Sequence, residues 1–159
     1  MVTLMNGSEV APVLRQIVGQ PRATEILSAS VAKAVHAYLF IGPAGSGKLL
    51  AAQSFAAALL CELGGCGDCA SCHDAQLGLH PDITVFEREG ASITVDEAHA
   101  ISLVAQRSPN VSTHQVLILT DFHLVGAAAP ALLKTIEEPP PSTIFIVIAD
   151  ALPASLVTI

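Results

Sequence analysis

The chain has 159 residues, 52% of them hydrophobic, with seven basic against fourteen acidic side chains and a formal charge of −7. That length fits one domain of ordinary size with ample material for a core. The acidic balance excludes a free-standing nucleic-acid binder, which needs a cationic footprint, but not a subunit whose partners hold the nucleic acid. Met1 to Glu9 contain neither a basic nor an apolar leader region, so no secretory signal is expected. The best apolar run, 143–159, is broken by Asp150 and Pro153, so no membrane association is expected either. A cytoplasmic setting follows, and there the four cysteines read as metal ligands rather than disulfides.

In chain order, Val10, Val13, Leu14, Ile17 and Val18 recur at helical spacing and predict a helix over 10–18, punctuated by Gly19 and Gln20. Pro21 opens a second helix to about Lys33, with Ile26, Leu27 and Val31 inward. Ala37 to Ile41 is a short apolar run stopping at Gly42, the pattern of a buried parallel strand. A helix from Gly47 runs through Leu50, Ala51, Phe55, Ala58 and Leu59. The glycine-rich cysteine segment that follows cannot build a core alone. Ile83 to Phe86 reads as a strand, and Val95 to Gln106 as a helix capped by Thr94 or Asp96. Val116 to Asp121 is a third, buried strand ending on a carboxylate. A helix from about Gly126 to Glu137 stops before three prolines, and Ile144 to Ala149 is a fourth strand. This alternation predicts an α/β fold with a parallel sheet and right-handed crossovers.

Gly42-Pro43-Ala44-Gly45-Ser46-Gly47-Lys48 has the phosphate-binding form G-x-x-x-x-G-K, with the predicted strand before it and the helix after it. Its glycines let amide N–H groups turn around phosphates, the helix terminus adds its dipole, and Lys48 supplies a point charge. The next residue usually gives a hydroxyl to Mg²⁺; here Leu49 stands there, so one oxygen ligand is missing. Asp121 is the natural Walker B carboxylate, but Phe122 stands where hydrolysing members of the P-loop class carry a water-orienting glutamate. His123 should point elsewhere and reads as a surface or partner-contact residue.

Cys61-x₄-Cys66-x₂-Cys69-x₂-Cys72 holds every cysteine. Two C-x₂-C steps bring sulfurs close enough to share one Zn²⁺, and four thiolates close the coordination shell, so the ion is structural. His73 and His80 are then not needed as ligands, and His36 and His114 read as solvated or capping residues. Asp96-Glu97-Ala98-His99 spells a helicase box, but acids in a first helical turn explain it better. His80-Pro81-Asp82, a tripeptide known from J-domain co-chaperones, reads here as a turn leading into the strand at Ile83.

Several strings coincide. Val18-Gly19-Gln20 before a helix resembles the adenine box of replication AAA+ proteins. His36-Ala37-Tyr38-Leu39-Phe40 runs into the phosphate loop, the cysteine knuckle follows, and Leu132-Leu133-Lys134-Thr135-Ile136-Glu137-Glu138-Pro139-Pro140 comes after Walker B. Together they resemble the bacterial clamp-loader AAA+ family, the delta-prime and gamma/tau subunits of DNA polymerase III, over essentially the whole chain. The resemblance implies a three-layer P-loop domain over 1–159, helices on both faces of a parallel sheet, and a zinc-binding insertion at 61–80. It also implies a nucleotide site at Val18, Gly19, Gly42 to Leu49 and Asp121, taking ATP or ADP with weak or absent Mg²⁺ dependence. The implied partners are the motor (gamma/tau) and delta subunits, with the sliding clamp and primer–template DNA reached indirectly, within the DNA-directed DNA polymerase holoenzyme. Motor members carry Ser or Thr at 49, Glu at 122 and a sensor threonine where this chain has Ala149-Asp150. Those departures match the stationary, delta-prime-type member, with little or no ATPase activity of its own; the motor reading is the alternative. The family pattern continues after Val157-Thr158-Ile159 into Ser-Arg-Cys, whose arginine serves the neighbour's ATP, and then into lid and collar domains. A zinc-dependent nucleic-acid module is disfavoured, because the basic residues are few and scattered.

Overall fold

The computed structural model describes residues 9–154. The chain forms two compact units: one from the chain up to Val35 together with Leu50–His80, the other from His36–Leu49 together with the chain from Pro81 onward.

In the first unit the expected opening helix contracts to a 3₁₀ turn, Pro12–Gln16. Pro12 has no N–H to extend a turn backward, Ile17 is already extended, and Gly19 has φ 77°. Helix α1, Pro21–Val31, starts on its proline and buries Thr24 and Leu27, with Ser28 and Val31 half-buried. That i, i+3, i+4, i+7 stripe leaves Ile26 about 100° off the buried face, so Ile26 is exposed, not inward as its hydrophobicity suggests. Helix α2, Lys48–Leu60, starts in the second unit and lies mostly in the first, burying Ala52, Phe55, Ala56 and Ala58. Helix α3, Ala70–Gln76, forms inside the cysteine segment.

The second unit holds a four-stranded parallel sheet in the order β1-β4-β3-β2: β1 Ala37–Ile41, β2 Ile83–Phe86, β3 Gln115–Leu119 and β4 Thr143–Ala149. Both faces of β3 and β4 are buried. Leu117, Leu119, Phe145 and Val147 join one apolar cluster with Ala98 and Ile101 of α4 (Val95–Ala105) and Leu132 and Ile136 of α5 (Ala129–Glu137). Val116, Ile118, Ile144 and Ile146 alternate to the other face. Strand β1 departs from the expectation of a buried strand. It lies at the edge of the described sheet, with Leu39 38% and Ile41 48% exposed, because it has β4 on one side and no described strand on the other.

Helix α4 is stopped and started as its sequence dictates. Thr94 Oγ1 accepts from Glu97 N while the Glu97 carboxylate accepts from Thr94 N, a reciprocal capping box. The acids at Asp96 and Glu97 thus serve a helix terminus. Helix α5 begins three residues later than expected, after two 3₁₀ turns over 122–128. Asp82, in the expected turn before β2, is buried and accepts from Asn110 N, Asn110 Nδ2 (2.9 Å), Val111 N (2.9 Å) and Ser112 N (2.7 Å), fastening the loop that leads into β3.

Candidate functional site

Two groups of side chains carry chemistry, one in each unit. In the first, the four cysteine sulfurs all lie within 4.8 Å of one another. Cys61 Sγ is 3.7 Å from Cys66 Sγ and 3.7 Å from Cys69 Sγ. A Zn–S bond of about 2.3 Å sets sulfurs at the corners of a tetrahedron about 3.8 Å apart, so the donor set fits a tetrathiolate zinc. Cys61 follows the last turn of α2; Cys69 caps α3, its sulfur accepting from Cys72 N at 3.4 Å. Between them Gly65 has φ 100°, and a Cβ there would stand 2.7 Å from Val13 Cγ2. Only glycine lets the knuckle backbone lie against the 3₁₀ turn, where Val13 N donates to Gly65 O at 3.2 Å.

The thiols are not equivalent. Burial pushes Cys61 up, but the backbone N–H groups of Cys66, Gly65 and Leu63 outweigh it and bring the pKa down to about 7. Burial raises Cys69, and burial together with the neighbouring Cys61 and Cys69 sulfurs raises Cys72 strongly. Cys61 is therefore held closer to its thiolate form than Cys69 or Cys72, and the buried Cys72 needs a cation's charge to ionise. His80 is buried and outside the sulfur cluster, with Nε2 3.0 Å from Ser71 Oγ.

The second group surrounds the loop between β1 and α2. Gly45 (φ 76°) and Gly47 (φ 82°) hold left-handed conformations that other residues rarely adopt. Lys48 folds its ammonium back onto this loop, donating to Gly42 O at 2.6 Å and Pro43 O at 2.7 Å. Its charge is met by Asp150 Oδ1 at 3.0 Å. Leu49, next in the chain, is half-buried. Asp121 follows β3 with φ 53°, the described non-glycine residue in the left-handed region, and ends the strand at Leu119, short of the expected 121. Its carboxylate lies 3.3 Å from Arg88 Nε, beyond the end of β2. Phe122 turns fully into the apolar cluster with Leu119 and Leu132. His123 is not a free surface residue: Nδ1 accepts from Asp150 N at 3.1 Å, and Nε2 is 3.8 Å from Asp150 Oδ2.

The structure thus draws the cysteines into one cluster and gathers Lys48 with the loop 42–48, while Asp121 pairs with Arg88. Val18 and Gly19 are exposed residues of the other unit. Sequence reasoning missed Asp150 and Arg88 as members of this group. The signal for Asp150 was the strand order. Parallel pairing of β4 with β1 sets Ala149 opposite Ile41, so the residue after β4 must lie beside the loop that follows β1.

The model for the family described as "DNA polymerase III, delta subunit" matches residues 19–159. The chain is 40% identical over 138 residues to DNA polymerase III subunit tau of Bacillus subtilis, covering 82% of this chain and 24% of tau. It is 37% identical over 125 residues to subunit delta' of Pseudomonas aeruginosa, covering 74% of this chain and 38% of delta'. Against Bacillus subtilis delta' it is 34% identical over 137 residues, with 82% and 42% covered. The chain thus spans well under half the length of these relatives. A DNA polymerase III gamma subunit-related protein of Thermotoga maritima shares the fold, with a TM-score of 0.57 and 19% identity over 84% of this chain and 42% of that one.

Proposed function

Because the chain belongs to the DNA polymerase III clamp-loader subunit family, we propose that it is a non-motor, stator-like domain of the delta-prime type, helping to load the sliding clamp on primed DNA. The observation that carries this reading is Phe122. At the position where a motor subunit places its water-orienting glutamate, this chain places a side chain that packs wholly inside the core. Leu49 offers no hydroxyl to a metal, which supports the same conclusion. Lys48 and the glycines remain, so the loop retains the parts to hold ATP or ADP without serving hydrolysis.

In this reading the partners are the motor and delta subunits, with clamp and DNA reached through them, in keeping with a net charge of −7. A zinc ion on Cys61, Cys66, Cys69 and Cys72 has a structural role, since four thiolates leave no open position. No helix among the described residues is long and apolar enough to cross a membrane.

One observation favours a second reading. The chain is 40% identical to the tau subunit of Bacillus subtilis, against 37% and 34% for the delta' subunits of Pseudomonas aeruginosa and Bacillus subtilis, which suits a motor subunit. Reconstitution separates the two. Loader assembled with the protein carrying this domain should show DNA-dependent ATP hydrolysis that Lys48→Ala leaves unchanged. Abolition by Lys48→Ala would assign the domain to the motor class.

A further inference from the structure

We propose that Asp150 is a built-in anion for the phosphate loop: it holds Lys48 against the loop, and a nucleotide phosphate gains the lysine only by displacing it. The inference deepens the reading of 42–48 as a phosphate loop and rests on it.

An ammonium has three N–H donors and no acceptor. Those of Lys48 are matched by Gly42 O at 2.6 Å, Pro43 O at 2.7 Å and Asp150 Oδ1 at 3.0 Å. The Lys48 side chain is only 12% exposed, whereas the Asp150 side chain is 39% exposed, so the ammonium is shielded by the loop and the carboxylate meets it from the solvent side. A phosphate oxygen arriving here meets a lysine with no donor to spare and a carboxylate of its own sign beside it.

The position of Asp150 is fixed by the fold. Ladder pairing sets Ala149 opposite Ile41, and Gly42 N donates to Ala149 O at 3.3 Å, joining the loop to the end of β4. Asp150 N in turn donates to His123 Nδ1 at 3.1 Å, which aims the imidazole's other nitrogen toward Asp150 Oδ2 at 3.8 Å. The carboxylate is therefore braced from both sides, by a lysine and by a histidine. Asp121, the other acid at this end of the sheet, has its own cation in Arg88 at 3.3 Å and does not compete for Lys48. Asp150 is a positioning residue: it acts on a phosphate through Lys48.

The test is calorimetric titration of the full chain with ADP, for the unaltered protein, Asp150→Asn, Lys48→Ala and the double variant. Asp150→Asn should bind ADP about tenfold more tightly than the unaltered chain, and the gain should vanish in the Lys48→Ala background. Equal binding by the unaltered chain and Asp150→Asn would show a working phosphate loop that Asp150 does not guard. A gain that survives Lys48→Ala would reduce the effect to net charge. Either result overturns the inference. A second measurement needs no substitution at Asp150. A carbodiimide should couple Lys48 Nζ to the Asp150 carboxylate as a zero-length amide, detected by mass spectrometry, and ADP should suppress it. If the link forms and no variant binds ADP, the reading of 42–48 as a phosphate loop falls, and the inference with it. If no link forms, the pair does not exist in solution.

Discussion

Asp82 gives the sharpest test of the fold that carries the site. Its carboxylate is buried behind the entry to β3 and accepts from the backbone N–H groups of Asn110, Val111 and Ser112 and from the Asn110 amide. Burial alone would raise its pKa, but those hydrogen bonds prevail and hold it at about 2 instead of the usual 3.8. At ~1.36 kcal/mol per unit, that depression is worth about 2 kcal/mol of stability. The sign follows from the direction. A depressed carboxyl contributes fully above its unfolded pKa of 3.8, and the contribution drains away as the pH falls through about 2. Asp82→Asn removes the charge and turns an amide N–H toward backbone donors, so at neutral pH it should cost ~2–4 kcal/mol, the upper end including an unpaired buried donor. Urea unfolding of both chains, followed from pH 7 down to pH 2, reads this directly. Cysteine protonation strips metal from both alike, so the difference between them isolates Asp82. The gap should close between about pH 4 and pH 2. A cost below about 0.5 kcal/mol at neutral pH, or a gap that stays constant through that window, would refute the reasoning.

Protein purified without added metal should carry close to one zinc per chain by elemental analysis, and Cys66→Ser should lower that occupancy while the sheet signal in circular dichroism persists. Zinc affinity should climb as the pH rises past neutrality, because Cys69 and Cys72 must give up protons that burial makes them hold; competition against a chromogenic chelator measures it. Steady-state ATP hydrolysis by the domain should sit at background, since losing a general base alone typically costs ~10²–10⁴ in rate; turnover near one per second that Lys48→Ala abolishes would contradict this. Phe122→Ala should destabilise the domain by ~3–5 kcal/mol in denaturant unfolding, and Phe122→Glu by more, so the glutamate will not restore hydrolysis by itself.

The sheet was legible in the sequence because β2, β3 and β4 are short, mostly apolar runs separated by helical patterns, although the end of β3 was read two residues too long. Strand β1 was misread for a reason that composition hides. Ala37-Tyr38-Leu39-Phe40-Ile41 is as apolar as a central strand, and only the pairing order reveals that it lies at the described edge. The cysteine cluster was legible from spacing alone, whereas helix α3 within it was not. Its seven residues, Ala-Ser-Cys-His-Asp-Ala-Gln, carry little apolar periodicity, and its cap is a cysteine sulfur, outside the usual capping set. The ion pairs Lys48–Asp150 and Arg88–Asp121 join residues distant in sequence, which strand order brings together. Asp82 lies in the turn expected of it, but its anchoring role was hidden because its partners lie 28 to 30 positions away.

The departures at 122 and 150 follow from how one end of the sheet is packed. The backbone turns at Asp121 with φ 53°, which sends Phe122 into the core and leaves the Asp121 carboxylate beside Arg88. One residue further, His123 reaches the backbone of Asp150, and Asp150 reaches Lys48. The Lys48 ammonium, the Asp121 carboxylate and the side chain at 122 are thus all engaged within the fold. Groups sharing partners do not contribute additively, so changing one position leaves the others committed. Hydrolysis at this site would require releasing Lys48 from Asp150, freeing Asp121 from Arg88 and rebuilding the turn at Phe122 together. That shared commitment, more than any single missing side chain, is the physical basis for reading the domain as a fixed part beside moving ones.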